Sequence, residues 1–154
     1  MGGAGGDVDD AAVRSLRALI LAGERYRQVL SEHVGLGVTE TQAISYLTVH
    51  GDRGQNELAT GLGLSSGALT ALVDRLERQG IAERYPHPSD RRRTLVRLSD
   101  RGHAVARQSR SWLGSAFEDI PADELEAVSR SLGLVAARLA ARSAAVAEAF
   151  PRAQ

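Results

Sequence analysis

Residues 57–76, ELATGLGLSSGALTALVDRL, decide the fold. Their spacing is that of a helix-turn-helix: Ala59 is small where two helices cross closely, Gly63 can adopt the left-handed turn conformation, and Leu69 fixes the second helix. The apolar positions that the two helices share are Leu58, Leu62, Leu64, Leu72, Val73 and Leu76. A plain helical hairpin without a nucleic-acid role has the same spacing, so this stretch alone leaves both interpretations open.

The segment that follows favours a winged helix. Residues 81–86 and 94–99 are predicted to form two short strands. The polar tip between them carries three consecutive arginines, Arg91, Arg92 and Arg93. An arginine is favoured in a narrow DNA minor groove, where negative potential is concentrated. A solvated charge run is the alternative, although three like charges are costly to hold together without an anion.

The second helix of the motif carries the other predicted DNA contacts. The side chains that point away from its leucine face are Ser65, Ser66, Thr70 and Arg75. Hydroxyl groups and an arginine are what a helix in the major groove uses to reach base edges and phosphates. We therefore expect double-stranded DNA to contact this helix and the arginine tip together.

Further helices are predicted on both sides of the motif. With the two helices of the motif included, the predicted bounds are about 9–36, 39–50, 55–62, 65–80, 100–119 and 121–150. Thr39 has N-cap chemistry and Gln42 completes a capping-box pattern, while Pro121 suits a first helical turn. Residues 1–8 are predicted to be a flexible tail.

Two motifs in this part of the chain resemble those of a known family. Residues 67–81 are GALTALVDRLERQGI, and residues 88–102 are PSDRRRTLVRLSDRG. The specific part is the Asp90-x-Arg92 pattern followed by a strand and Leu-Ser. Together, over roughly residues 39–110, they closely resemble the MarR family of transcriptional regulators. The resemblance implies a mainly α fold with a small β-hairpin wing, in which a winged helix-turn-helix is flanked by dimerisation helices.

The resemblance also implies residue roles and an assembly. It implies a homodimer in which the first, fifth and sixth helices of each chain interlock, with Leu16 and Ile20 at the interface. Asp90 and Arg92 would be the wing signature, and Arg92 the residue that enters the minor groove. Asp74 is expected to pair with Arg92 and to orient it.

An apolar stripe on the sixth helix supports the dimer independently. Its members, at alternating spacings of three and four, are Leu125, Val128, Leu132, Val135 and Leu139. Packing back onto the same chain is the alternative. A two-fold dimer would require an inverted-repeat operator with half-sites about one helical turn, ~10 base pairs, apart. The predicted organisation is a tail (1–8), a dimerisation helix (9–36), a winged helix (38–100) and C-terminal dimerisation helices (100–150).

An effector site is implied by the resemblance, because relatives bind small aromatic molecules between the dimer helices and the winged helix. The candidates for such a crevice are Tyr26, Tyr46, His50 and Trp112. Ordinary core or interface packing is the alternative for each of them.

Composition excludes several classes of protein. The chain of 154 residues has no cysteine, so a disulfide framework and thiolate chemistry are excluded. Its four histidines lack metal-ligand spacing, and no catalytic or nucleotide-binding motif is present, so we predict no metal site, no cofactor and no enzyme activity. No stretch is long enough to span a membrane, and the first residues do not resemble a signal peptide, which predicts a cytoplasmic protein.

The net charge of zero conceals a division along the chain. Residues 53–110 hold 11 Arg against 6 acidic residues, or +5, and the remainder holds 8 Arg against 13, or −5. The surface predicted to meet DNA is thus basic within a neutral protein. The sequence favours a ligand-responsive repressor that binds DNA as a homodimer. The alternatives are an activator of the same fold and a winged-helix protein-interaction module that does not bind DNA.

Overall fold

Helices predominate in the computed structural model, which describes residues 6–90 and 92–149. The helices are α1 (Gly6–Val34), α2 (Val38–His50), α3 (Gln55–Leu62), α4 (Ser66–Arg78), α5 (Asp100–Ser115) and α6 (Leu125–Ala149). The strands are β1 (Arg53–Gly54), β2 (Ala82–Pro86) and β3 (Thr94–Leu98). The chain divides into two compact units, residues 1–110 and residues 111–154. The predicted fold class, mainly α with a small β wing, is confirmed.

The turn between α3 and α4 has the predicted geometry. Gly63 adopts a left-handed conformation (φ 65°), and the N–H of Leu64 donates to the Ala59 carbonyl over 2.9 Å. Ser65 caps α4, since its Oγ accepts a hydrogen bond of 3.3 Å from the Ala68 N–H. Two local signals, a turn glycine and a capping serine, therefore fix the angle at which α4 leaves the turn.

The core of the first unit lies beneath α4. Leucines at helical spacing bury one face of this helix against α2, α3 and the sheet. The largest fully buried side chains are Leu58, Leu69, Leu72, Leu76, Ile81, Val73, Val96 and Thr41. Because the leucine face is buried, the opposite face of α4 is left at the surface.

The sheet is antiparallel in the order β1-β3-β2. Val96 pairs with Arg53 on one side and with Arg84 on the other. Val96 and Leu98 point into the core, and Glu83 and Arg97, paired across β2 and β3, are exposed on the outer face. The two-residue strand β1 was not predicted, because it is too short to show an alternating pattern.

The predicted cap of α2 is wrong. Gly37, in an extended conformation, is the N-cap residue and makes no side-chain cap bond, while Thr39 lies inside the first turn. The carboxylate of Glu40 folds over Gly37 and occupies the space where a side chain at that position would begin. The N-cap therefore lies two residues earlier than the Thr39 pattern suggests.

Three helix ends also differ from the prediction. Helix α5 ends at Ser115 rather than near residue 119. It is followed by turns in which an N–H donates to the carbonyl three residues earlier, such as Phe117 N–H to Gly114 O at 3.0 Å. Pro121 lies in a separate turn before α6, because a proline disfavours helical conformation in the residue before it. Helix α1 already includes residues 6–8, whereas residues 1–5, Arg91 and Phe150 lie outside the described residues.

In the second unit, α6 has no buried residue. The predicted stripe is exposed at Leu125, Leu132, Val135 and Leu139, and Val128 is half-buried. In the first unit, Ile20 of α1 is exposed and Leu16 is half-buried. Within residues 6–90 and 92–149, no helix is both long and apolar enough to cross a bilayer.

Candidate nucleic-acid interface

The exposed face of α4 carries the predicted hydroxyl groups. Ser65, Ser66 and Thr70 are all at the surface. The Thr70 hydroxyl donates to the Ser66 carbonyl over 2.9 Å, and the Ser65 oxygen accepts the capping bond. Each hydroxyl keeps hydrogen-bonding capacity, because Thr70 can still accept hydrogen bonds, and Ser65 can still donate one and accept another.

Arg75, also on α4, is held by a residue that the sequence did not single out. Its Nε donates to Oε1 of Glu40 at the start of α2 over 2.9 Å. The Arg75 side chain is 43% exposed, whereas that of Glu40 is 9% exposed. The Arg75 guanidinium group therefore lies at the surface, and the Glu40 carboxylate that holds it is nearly buried.

Asp90 organises the tip of the wing. Its Oδ1 accepts the N–H of Arg92 at 3.1 Å, and its carbonyl accepts the N–H of Arg93 at 2.9 Å. The side chains of Arg92 and Arg93 are exposed. Arg93 also lies 3.7 Å from a carboxylate oxygen of Glu57 on α3. The turn at Asp90 thus shapes the backbone that carries the arginines.

The predicted pairing of Asp74 with Arg92 is wrong. Asp74 pairs instead with Arg84 of β2, whose Nη2 lies 2.8 Å from Asp74 Oδ1. The other terminal nitrogen of Arg84 pairs with Glu77, and the Arg84 N–H donates to Glu77 Oε1 over 2.9 Å. Arg84 is two residues after Ala82 on β2 and pairs with Val96 of β3, so the three side chains share the inner face of the sheet. The Arg84 side chain therefore extends from the sheet toward α4. We call Asp74, Glu77 and Arg84 the clamp, because they fix β2 to α4.

A second polar network lies on the outer face of the wing sheet. The Tyr85 hydroxyl donates to Asp52 Oδ2 over 2.6 Å, and the guanidinium carbon of Arg97 lies 4.6 Å from the Tyr85 ring centroid. Arg97 Nε donates to Glu83 over 2.6 Å. The hydrogen bond to Asp52 raises the pKa of Tyr85 above its ordinary value, and the hydrogen bond to Glu83 raises the pKa of Arg97. This network connects the loop before β1 to the wing.

Comparison with known proteins identifies this architecture. The profile described as MarR family matches residues 34–93, the stretch that contains the helix-turn-helix and most of the wing. The chain belongs to the MarR family.

This MarR-family chain is similar to curated proteins and to solved structures. It is 34% identical to the HTH-type transcriptional regulator YcgE of Bacillus subtilis (strain 168) over 58% of each chain. The crystal structure of RV1404 from Mycobacterium tuberculosis is 27% identical, with a TM-score of 0.61, over 88% of this chain and 95% of that one. The matched part of the chain spans about half to two thirds of the length of its curated relatives.

A third neighbour shares the fold at lower identity. A mutant of MepR from S. aureus, solved bound to an oligodeoxyribonucleotide, is 19% identical with a TM-score of 0.56. The match covers 83% of this chain and 97% of the MepR chain. The curated relatives YcgE and MhqR are named as transcriptional regulators rather than as enzymes.

The structure brings together two of the four residues proposed for an effector crevice. The rings of Tyr46 and His50 lie 4.4 Å apart between centroids, and both line a cavity of about 310 Å³. Tyr26 lies elsewhere, with its hydroxyl 2.8 Å from Ser109 Oγ, and Trp112 belongs to the second unit. In the described part of the chain, no group of three or more potential metal ligands is present.

Proposed function

We propose that this MarR-family chain is a DNA-binding transcriptional regulator that contacts double-stranded DNA through α4 and the wing. The observation that carries this proposal is the clamp, since it joins the exposed face of α4 to the strand that leads to the arginine tip. A helix and a wing held in fixed relation can contact adjacent features of one duplex. Ser65, Ser66, Thr70 and Arg75 are the proposed α4 contacts; Arg91, Arg92 and Arg93 are the proposed wing contacts.

Charge supports the same surface. Residues 53–110, which contain α4 and the wing, have an excess of five positive charges, whereas the rest of the chain has an excess of five negative charges. Phosphate contacts release counterions, so a basic surface of this kind binds duplex DNA without regard to sequence before base contacts add specificity. The structure of an S. aureus MepR mutant with the same fold, bound to an oligodeoxyribonucleotide, supports DNA binding by this chain.

A salt titration tests the proposal, with Arg92→Ala as the variant. Fluorescence anisotropy with a labelled random duplex should show log K falling steeply with log salt for the wild-type protein. Arg92→Ala should weaken binding and reduce the slope by about 1, because one cation that releases counterions at the duplex is lost. Arg107→Ala removes the same charge from the exposed face of α5 and should leave the slope unchanged. No binding by the wild-type protein at low salt would favour the protein-interaction module instead.

The proposed regulator acts as a homodimer. The exposed apolar stripe on α6 supports this assembly, since a continuous apolar face of this length is normally covered. Leu16 and Ile20 of α1 are proposed to belong to the same interface. In the titration above, a dimer binds a duplex with two chains per site; a stoichiometry of one chain would contradict it.

The direction of regulation and its response to a ligand extend this proposal. We propose cytoplasmic repression that a small aromatic effector releases by occupying the cavity at Tyr46 and His50. This open pocket is also lined by Arg27, Gln42, Ser45, Val49 and Leu62, so it offers apolar and polar side chains and a cation, and its volume is at the lower end of the range for small-ligand sites. A reporter placed behind a selected binding site should fall in output when the protein is present. A rise would identify the activator of the same fold.

A further inference from the structure

We infer that Glu40 is a positioning residue for DNA recognition, which holds the Arg75 guanidinium so that its terminal nitrogens face outward from α4. This inference rests on the proposed function, because it assigns a role within the proposed DNA surface. It concerns a residue outside the helix-turn-helix, at the third position of α2.

The geometry of the pair fixes one edge of the guanidinium group. Glu40 is 6% exposed, and a buried carboxylate needs a hydrogen-bonded partner of opposite charge. Arg75 provides that partner through Nε alone. Within residues 6–90 and 92–149, the structure gives Nη1 and Nη2 of Arg75 no hydrogen-bond partner. The edge formed by these two nitrogens is the one that can meet a guanine or a phosphate with two parallel hydrogen bonds.

The anchor itself is rigid. Glu40 lies in the first turn of α2, where the helix dipole stabilises a negative charge. Because Gly37 has no side chain, the carboxylate can occupy the space beside it. The next residue, Thr41, shares a buried hydrogen bond of 2.9 Å with Ser31 of α1. Arg75 is therefore held against the junction of α1 and α2 as well as by its own helix.

This arrangement has a specific consequence for binding. An unrestrained arginine must lose rotamer freedom when it contacts DNA, so a guanidinium group that is already oriented binds with a smaller entropic cost. The Glu40–Arg75 pair is neutral overall, so it adds little to sequence-independent attraction. The pair should therefore contribute to discrimination between sequences more than to non-specific affinity.

The test uses Glu40→Gln and two DNA probes. One probe is the duplex that the wild-type protein selects from a random-sequence pool, and the other is an unselected random duplex. Glu40→Gln keeps the shape of the side chain but loses the charge that orients Arg75. Affinity for the selected duplex should fall by about tenfold to a hundredfold, the range for one well-placed bidentate base contact. Affinity for the random duplex should stay the same or rise. Glu32→Gln, an equal charge change at an exposed site on α1, should alter neither.

Parallel losses on both probes would show that Glu40 is merely structural and would overturn the inference. If Glu40→Gln fails to fold, Arg75→Lys provides the test, because it keeps the positive charge and loses the two-nitrogen edge. Arg75→Lys should lose discrimination while keeping random-duplex affinity; wild-type discrimination would overturn the inference. A wild-type protein that selects no duplex would instead contradict the proposed function, so the two failures are distinguishable.

Discussion

Arg84→Met is expected to weaken binding to a selected duplex by about a hundredfold. Arg84 is paired with Asp74 and Glu77 of α4, and its side chain is only 23% exposed. Without it, two carboxylates on the proposed DNA-contacting helix lose their cation and repel nearby phosphates by about 1 kcal/mol each or more. The wing also loses the ion pairs that join it to α4, although its buried side chains still pack there. We expect the free energy of unfolding to fall by about 1–3 kcal/mol, because partly buried hydrogen-bonded charges are left unpaired.

Two further variants separate charge from fold in this prediction. Arg107→Met removes an exposed arginine of α5 and should leave both DNA affinity and urea midpoint near wild-type values. Adding Asp74→Asn and Glu77→Gln to the Arg84→Met variant should recover part of the lost affinity, since the repelling carboxylates are then neutral. Anisotropy titrations at fixed salt measure both effects. If neutralisation recovers no affinity, repulsion is not the cause.

Gly102→Ala is expected to lower the free energy of unfolding by about 1–3 kcal/mol, as overpacking in a tight contact does. A side chain at this position would collide with the backbone carbonyl of Ile81 and press against Leu98. The Ile81 carbonyl is fixed by a hydrogen bond of 2.9 Å from the Ser99 N–H, so it cannot yield easily. Glycine to alanine inside a helix normally stabilises by about 1 kcal/mol, so the expected sign is the reverse of the usual one. Urea unfolding followed by circular dichroism measures it.

Gly67→Ala is the matched control for Gly102→Ala. It lies in the first turn of α4, and nothing within 4 Å obstructs an added methyl group. It should be neutral or stabilise the protein by up to about 1 kcal/mol. Equal stabilisation by both substitutions would mean that α5 does not approach the carbonyl of residue 81 closely.

Local signals in the sequence predicted the centre of the fold. Gly63 and Ser65 act within four residues of their own positions, so their spacing was enough to place the turn and the cap of α4. The end of α5 and the start of α6 were predicted less accurately, because a proline such as Pro121 can occupy either the first turn of a helix or the turn before it. The first-turn interpretation was wrong.

The interactions that shape the candidate site were not predictable in the same way. Glu40 and Arg75 are 35 residues apart, and Asp52 and Tyr85 are 33 apart, so no local periodicity connects them. The family resemblance predicted a salt bridge between Asp74 and Arg92. Arg84 forms that salt bridge instead, because it lies on the strand that packs beside α4. Such pairings depend on which strand lies nearest to a helix, and sequence spacing carries no information about that distance.

The strand order of the wing has one more consequence. β2 lies at the edge of the sheet, and it carries the charged residues Glu83 and Arg84 and ends at Pro86, which has no N–H to donate. Charges, shortness and a terminal proline are features that protect an edge against pairing with a strand from another chain. An edge of this kind is a poor template for an incoming peptide, which sets it apart from sheets that bind partners by adding a strand. The hairpin therefore stays two strands wide at its tip, which is narrow enough to lie along a groove of the proposed DNA partner.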